Sequence, residues 1–199
     1  IIRVPLTADL RHDLPAMADA ITESTRMVFI ANPNNPTGTI VTRTEFEDFL
    51  ESIPRSVMVV MDEAYAEFAA HEPTYPTSLD YLDTGRVVGL RTFSKAYGLA
   101  GIRVGYGWSS YDVADAINRA RQPFDVNSLA QVAAIAALED EAFLARTLEE
   151  NRQSLSRIES AFRAVGLSCT PSYANFVCAD LRQPAEPIFR ALLEKGVIV

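Results

Sequence analysis

Three short apolar runs recur along the first half of the sequence, and polar residues follow each of them. The runs are Met27–Ala31, Val57–Met61 and Val87–Thr92. Short apolar runs of this kind are typical of buried strands, and stretches with helical spacing separate them. Strands that alternate with helices favour a largely parallel sheet with helices on both faces. The sequence therefore predicts an α/β protein.

The ends of the helices are also marked. Asp13 is a plausible N-cap for the first helix, and Thr42 with Glu45 predicts a capping box for the second. A long amphipathic stretch over 140–165 ends at Gly166, a residue type that commonly terminates helices. Helices are expected to dominate from Tyr111 onward.

Polar segments follow the apolar runs in a way that suggests a ligand site. Asn32–Gly38 follows the first run and Asp62–Tyr65 follows the second. Open α/β sheets bind ligands at the carboxyl ends of their strands. We therefore expect these side chains to meet at one edge of the sheet.

The segment Arg91–Arg103 carries the most specific chemistry. Lys95 follows the third run among hydroxyl and glycine residues. A partly desolvated lysine amine can attack a carbonyl and form a Schiff base. Thr92, Ser94 and Arg103 suit a phosphate, because arginine–phosphate pairs are charge-assisted and can be bidentate. A Schiff-base lysine beside a phosphate site describes pyridoxal 5'-phosphate (PLP).

These segments, in this order, resemble the fold-type I PLP-dependent aminotransferases. The resemblance is to the histidinol-phosphate aminotransferase group, including its aromatic (phenylalanine) aminotransferase relatives. It implies that Lys95 is the catalytic lysine and that Asp62 pairs with the pyridine nitrogen. The predicted cofactor-binding set is Asn35, Asp62, Tyr65, Thr92, Ser94, Lys95 and Arg103.

Each of these residues also has an ordinary interpretation. Lys95 alone could be a solvated surface lysine, Asp62 could cap a turn, and Tyr65 could be a core aromatic. The Asn-Pro and Pro-Thr-Gly steps are common turn chemistry. The functional interpretation depends on the occurrence of all these features together, in one order and spacing.

The resemblance implies a three-layer α/β/α large domain of the aspartate aminotransferase type and part of a small α+β domain. We place the PLP-binding large domain at residues 1–140 and the small domain at 141–199. The large domain would lack its N-terminal part and the small domain would be incomplete, so we expect a piece of a longer polypeptide. Further strands are predicted at Ile1–Leu6, Ala174–Ala179 and from Val197 onward.

The implied activity moves an amino group between histidinol phosphate or an aromatic amino acid and 2-oxoglutarate. Phe124 and Asn175 are candidate substrate contacts, although an interior aromatic and a turn asparagine are equally consistent with the pattern. Three alternatives stay open. The protein could be a decarboxylase or C–S lyase of the same fold, or the PLP-binding sensor domain of a transcription regulator. The piece alone could also be inactive.

Composition limits the partners. The net charge of −8 disfavours nucleic acid, and the apolar stretches are shorter than a membrane span needs. Cys169 and Cys178 are neither closely spaced nor near histidines, so no metal site is predicted. We expect small-molecule amino acid and 2-oxo acid partners, a cytoplasmic location and a homodimer at full length.

Overall fold

A computed structural model describes all 199 residues, and its central feature is a four-stranded sheet. The strands are β1 (Met27–Ala31), β2 (Met58–Asp62), β3 (Val87–Thr92) and β4 (Gly105–Trp108), in that spatial order. The first three strands run parallel, and β4 returns antiparallel to β3. The three predicted strands are confirmed, with β2 shifted by one residue.

Helices α1 (Leu14–Asp19) and α2 (Arg43–Ser52) cover one face of the sheet. Alternation along the strands points Ile30, Val59, Met61 and Val87 toward these helices. The aromatic and aliphatic residues of α2 fill the space between the layers, and Phe46 is fully buried there. This face forms the main hydrophobic core.

Both predicted helix caps in this layer are confirmed. The Asp13 carboxylate accepts a hydrogen bond from the Ala16 N–H at 3.0 Å. Thr42 and Glu45 form the reciprocal capping box, in which the Glu45 carboxylate accepts from the Thr42 N–H at 2.7 Å. These bonds satisfy amide groups that the first turn of a helix leaves unpaired.

The opposite face of the sheet is more open within this chain. Phe29 is 66% exposed and Leu90 is 40% exposed, although Val60 and Val88 between them are buried. The one helical layer of α1 and α2 thus lies on the other side of these strands. The short helix α3 (Ala66–Ala69) follows β2 at the carboxyl edge.

The rest of the chain is mainly helical, as predicted. It contains α4 (Tyr111–Ala120), α5 (Ser128–Glu139), α6 (Glu141–Ala164), α7 (Ala185–Glu194), and a two-stranded antiparallel sheet of β5 (Ser168–Cys169) and β6 (Ala179–Asp180). Gly166 follows α6 with a φ of +77°, as expected for a left-handed helix terminator. None of the seven helices has the length and apolar character that a membrane crossing requires.

Several predicted elements are wrong. The segments Ile1–Leu6 and 197–199 are not strands, and of Ala174–Ala179 only the last residue belongs to one. A 3₁₀ helix, Ser78–Thr84, lies between α3 and β3. Apolar runs indicate burial, but a strand also needs a neighbour for its backbone hydrogen bonds, and these runs lack one in this chain.

Candidate active site

The predicted site residues follow the carboxyl ends of the three parallel strands. The Asn32 N–H donates to the Asp62 carbonyl at 2.9 Å, and the Glu63 N–H donates to the Leu90 carbonyl at 2.8 Å. These bonds continue the sheet pairing past the ends of β1 and β2. Asp62 and the loops that carry Asn35 and Lys95 therefore start from neighbouring, fixed positions.

The loop after β1 is held by its own side chains. Buried Asn32 donates from Nδ2 to the Val41 carbonyl at 3.2 Å, and its Oδ1 accepts from the Val41 N–H at 2.9 Å. Within the loop, Asn34 Nδ2 donates to Thr37 Oγ1 at 2.8 Å. This bracing leaves Asn35 exposed at the tip of a fixed turn.

Tyr65 links two of the predicted segments. Asn35 Nδ2 donates to the Tyr65 hydroxyl at 3.0 Å, and Lys95 Nζ lies 5.1 Å from the centroid of the Tyr65 ring. The Tyr65 side chain is buried, which fixes its ring. The structure thus brings Asn35, Tyr65 and Lys95 together, although they are 30 residues apart along the chain at each step.

Asp62 ends β2 with an exposed side chain. Its Oδ1 accepts a hydrogen bond from the Ala64 N–H at 3.1 Å. Because side chains alternate along a strand, Asp62 faces away from the core that Met61 enters. The carboxylate is therefore available to a ligand on the open face.

The lysine segment has a defined local structure. Thr92 Oγ1 accepts from the Ser94 N–H at 3.1 Å, and both residues are half-buried, as is Lys95. The next residue, Ala96, is fully buried and anchors the turn. The Lys95 backbone is therefore held in place, while its side chain is only half-buried.

Arg103 stands apart from the other phosphate candidates. Its side chain is exposed, and Nη1 donates to the Ala100 carbonyl at 2.8 Å, not to Thr92 or Ser94. Its backbone is left-handed, with a φ of +62°. A residue other than glycine pays a free-energy cost in that conformation, and such strain is concentrated at functional sites.

The two substrate candidates differ in their surroundings. Phe124 is 98% exposed and borders a cleft with Phe93 and Tyr106 that does not include Lys95 or Asp62. Asn175 is exposed, but its neighbour Phe176 packs edge-on against Tyr65 with ring centroids 5.2 Å apart. Asn175 is thus next to the Tyr65 cluster, whereas Phe124 is not.

Sequence reasoning missed the part of the chain that packs against the loop after β1. The Tyr173 N–H donates to the Gly38 carbonyl at 2.8 Å. Gly38 has a φ of +75°, and a Cβ there would lie 2.7 Å from Ser172 Oγ. Glycine is thus required by both conformation and space. The Pro-Thr-Gly motif gave no hint that residues so distant in sequence pack on it.

Glu63 and Arg91 were also missed. Glu63 Oε2 accepts from Arg91 Nε at 3.1 Å beneath the ends of β2 and β3. Burial raises the pKa of Glu63, while the Ser78 N–H and Arg91 oppose that rise. The sequence did carry a signal, because Val87, Gly89 and Arg91 are spaced two residues apart and so share one face of β3, where a charge needs a partner.

These features define an α/β protein with a cluster of polar side chains around Lys95 at the carboxyl edge of its sheet. The model of the family described as aminotransferase class I and II matches residues 1–199, and the chain belongs to that family.

Similar proteins agree on the subgroup. The chain is 52% identical over 200 residues to a histidinol-phosphate aminotransferase of Moorella thermoacetica, and 54% identical over 189 residues to histidinol-phosphate aminotransferase 2 of Pseudomonas fluorescens. These matches cover 100% and 94% of this chain but 51% of each relative. The chain therefore spans about half the length of the curated relatives it matches.

A solved structure supports the same fold. The histidinol-phosphate aminotransferase of Sinorhizobium meliloti, determined in complex with pyridoxal-5'-phosphate, is 34% identical and superimposes with a TM-score of 0.93. The match covers 100% of this chain and 55% of that protein. The predicted fold, a partial fold-type I transferase, is confirmed.

Proposed function

We propose that the complete polypeptide containing this chain is a PLP-dependent aminotransferase. It would move an amino group between histidinol phosphate, or an aromatic amino acid, and 2-oxoglutarate. The observation that carries the proposal is the convergence of Lys95, Tyr65 and Asn35 beside the strand that ends in Asp62. The names of the relatives favour histidinol phosphate as the donor.

The residues fit the cofactor in chemical type. Lys95 offers an amine for the aldehyde, and Asp62 an exposed carboxylate for the ring nitrogen. Tyr65 and Asn35 offer a bonded phenol–amide pair for the ring oxygen. Thr92, Ser94 and Arg103 offer two hydroxyls and a guanidinium for the phosphate.

Each of these residues would have its own role in the reaction. When bound, the pyridoxal ring withdraws electrons from the substrate Cα and stabilises negative charge there. Asp62 holds a proton at the ring nitrogen, because a nearby carboxylate favours the protonated form. Lys95 accepts and returns the proton at the substrate Cα as general acid–base. Tyr65, fixed by Asn35, would orient the ring through its oxygen.

We also propose that 1–140 and 141–199 act as a PLP-binding large domain and a small domain, with Asn175 and Phe124 as substrate contacts. The start of the long helix α6 at Glu141 supports the boundary. A homodimer and a cytoplasmic location are further proposals. They rest on the resemblance to the family.

The test is an amino-transfer assay on the complete polypeptide with PLP and 2-oxoglutarate. Histidinol phosphate and L-phenylalanine are supplied separately, and glutamate is measured. We expect glutamate with histidinol phosphate, at least tenfold faster than with phenylalanine. Carbon dioxide released from phenylalanine without glutamate would instead favour the decarboxylase alternative. In a separate incubation with L-cysteine, release of sulfide would favour the lyase alternative.

A further inference from the structure

A closed polar cluster lies beneath the ends of β2, β3 and β4, on the side of the sheet that carries the main core. We call it the buried network, and it consists of Glu63, Ser78, Arg91 and Trp108. None of these residues belongs to the proposed cofactor-binding set. Their placement next to that set calls for an explanation.

Every member of the buried network is bonded to another. Glu63 is 0% exposed; its Oε1 accepts from the Ser78 N–H at 2.6 Å and its Oε2 accepts from Arg91 Nε at 3.1 Å. The Arg91 guanidinium lies 4.9 Å from the centroid of the Trp108 ring. Trp108 Nε1 donates to Ser78 Oγ at 2.9 Å, which closes the circle.

Two members of the network pack closely against β3 at Gly89. A Cβ at Gly89 would lie 2.1 Å from Ser78 Oγ and 2.5 Å from Trp108 Nε1. Both distances are below any real contact of a methyl group, so glycine is required at this position of β3. This close approach holds Ser78 and Trp108 against β3, and these two residues contact Glu63 and Arg91.

The register of β2 with β3 places Glu63 and Arg91 on one face of the sheet and their neighbours in the chain on the other. Met61 pairs with Gly89, and two residues further on come Glu63 and Arg91, which share that face. Asp62 and Thr92, each directly adjacent to a member of the pair, project to the opposite face. The Glu63–Arg91 pair therefore lies behind the residues proposed to bind the cofactor and acts on them through the backbone.

We propose that Glu63 and Arg91 are positioning residues that set the spacing between Asp62 and the Thr92–Lys95 turn. This inference rests on the proposed function. The pair locks the carboxyl ends of β2 and β3 to each other, and so fixes the distance between the ring-nitrogen partner and the lysine. A shift of about 1 Å in such a constellation is enough to cost about a hundredfold in rate.

A purely stabilising role makes a different prediction. Removing one partner of a buried ion pair strongly destabilises a protein, whereas replacing both partners by neutral residues is often tolerated. Stability and positioning can therefore be separated with three variants of the complete polypeptide: Arg91→Met, Glu63→Gln, and the double variant. Gln keeps an acceptor for the Ser78 N–H.

The measurements are the thermal unfolding midpoint, the PLP dissociation constant, and kcat and KM at saturating PLP. We expect the double variant to regain most of the midpoint that Arg91→Met loses. Its PLP dissociation constant should still be about tenfold higher and its kcat about tenfold lower than in the parent, with KM little changed. Arg91→Lys, which keeps the charge but loses the planar fork, should show the same split if the double variant does not fold.

Arg43→Met is the matched control. Arg43 pairs with Asp80 at 2.7 Å and ties α2 to the 3₁₀ helix that contains Ser78, but it has no hydrogen bond or ion pair with the buried network or the proposed cofactor-binding set. This variant should bind PLP and turn over within about twofold of the parent.

Two results would overturn the inference. In the first, the double variant regains its unfolding midpoint, or Arg91→Lys folds, and the variant has the PLP affinity and kcat of the parent. The Glu63–Arg91 pair would then have a stabilising role only, while the proposed function would stand. If PLP fails to attach to Lys95 in the parent protein, the proposed function falls and the inference falls with it.

Discussion

At the carboxyl ends of β2 and β3, the polar side chains on the two faces of the sheet differ in their burial and pairing. On one face, Glu63 is buried and Arg91 is half-buried, and the two are bonded to each other and to their neighbours. On the other, Asp62 is exposed and Lys95 half-buried, with an amine that makes no protein hydrogen bond. The difference matches the two proposed roles, in which one face holds the strand ends in place and the other binds the cofactor and carries the chemistry.

The largest expected effect comes from Lys95 on the open face. Lys95→Ala should lower turnover by about 10⁴-fold or more and abolish covalent attachment of PLP, because the amine both attaches the cofactor and moves the Cα proton. The measurement is turnover together with the mass of borohydride-reduced protein.

Lys195→Ala is the matched control, since Lys95 and Lys195 are the only lysines in this sequence. Lys195 follows α7 and should be dispensable. If the reduced protein carries cofactor on Lys195, the site assigned to Lys95 is wrong.

Asp62 should give the next largest effect. Asp62→Asn keeps the shape but loses the charge that holds a proton at the ring nitrogen, and we expect kcat to fall about 10²- to 10³-fold. Asp48→Asn, on the exposed side of α2, serves as the control for loss of one carboxylate. An unchanged kcat in Asp62→Asn would show that the Asp62 charge takes no part in the reaction.

A smaller effect is expected from the hydroxyl of Tyr65. Tyr65→Phe removes the acceptor of the Asn35 amide while leaving the ring in place, and kcat should fall about tenfold. Tyr81→Phe is matched, because its hydroxyl donates to Glu47 at 3.1 Å beside the α2 core. Tyr81→Phe should change the free energy of unfolding but leave kcat unchanged. Equal losses of kcat in Tyr65→Phe and Tyr81→Phe would show that the Tyr65 hydroxyl has no specific role in the reaction.

The smallest effect concerns stability and pH. Both carboxylate oxygens of Glu67 are buried without a hydrogen-bond partner, and burial raises the pKa of this group. The folded state then holds the proton more tightly than the unfolded state, so stability falls as the pH rises from the ordinary value of 4.5 through the raised pKa.

Glu67→Gln should therefore be more stable than the parent at neutral pH by about 1 kcal/mol, and the gain should vanish below pH 4.5. Denaturant unfolding at several pH values measures this gain in stability. Glu51→Gln, on the exposed side of α2, is the control. A gain that persists undiminished at low pH would contradict the assigned cause.

Much of the fold follows from local sequence patterns. The three apolar runs, the Thr42–Glu45 capping box and Gly166 each depend on a few adjacent residues, and the structure confirms all of them. Ile1–Leu6 failed because an apolar run does not specify a pairing partner.

The candidate site shows the same limit. Asn35, Tyr65 and Lys95 could be grouped in advance because each follows a strand of one sheet. The pairing of Glu63 with Arg91, and the packing of Phe176 on Tyr65, join segments whose proximity depends on tertiary structure. Only the two-residue spacing that places Arg91 on the same face of β3 as Val87 and Gly89 indicated that Arg91 needs a partner.

The most direct test of the account is a crystal structure of the complete polypeptide with PLP. We predict density for the cofactor joined to Lys95 on the open face, in contact with Asp62 and Tyr65, while Glu63 and Arg91 stay bonded to each other and do not touch it. Cofactor attached elsewhere, or bound directly by Arg91, would contradict the separate roles proposed for the two faces of the sheet.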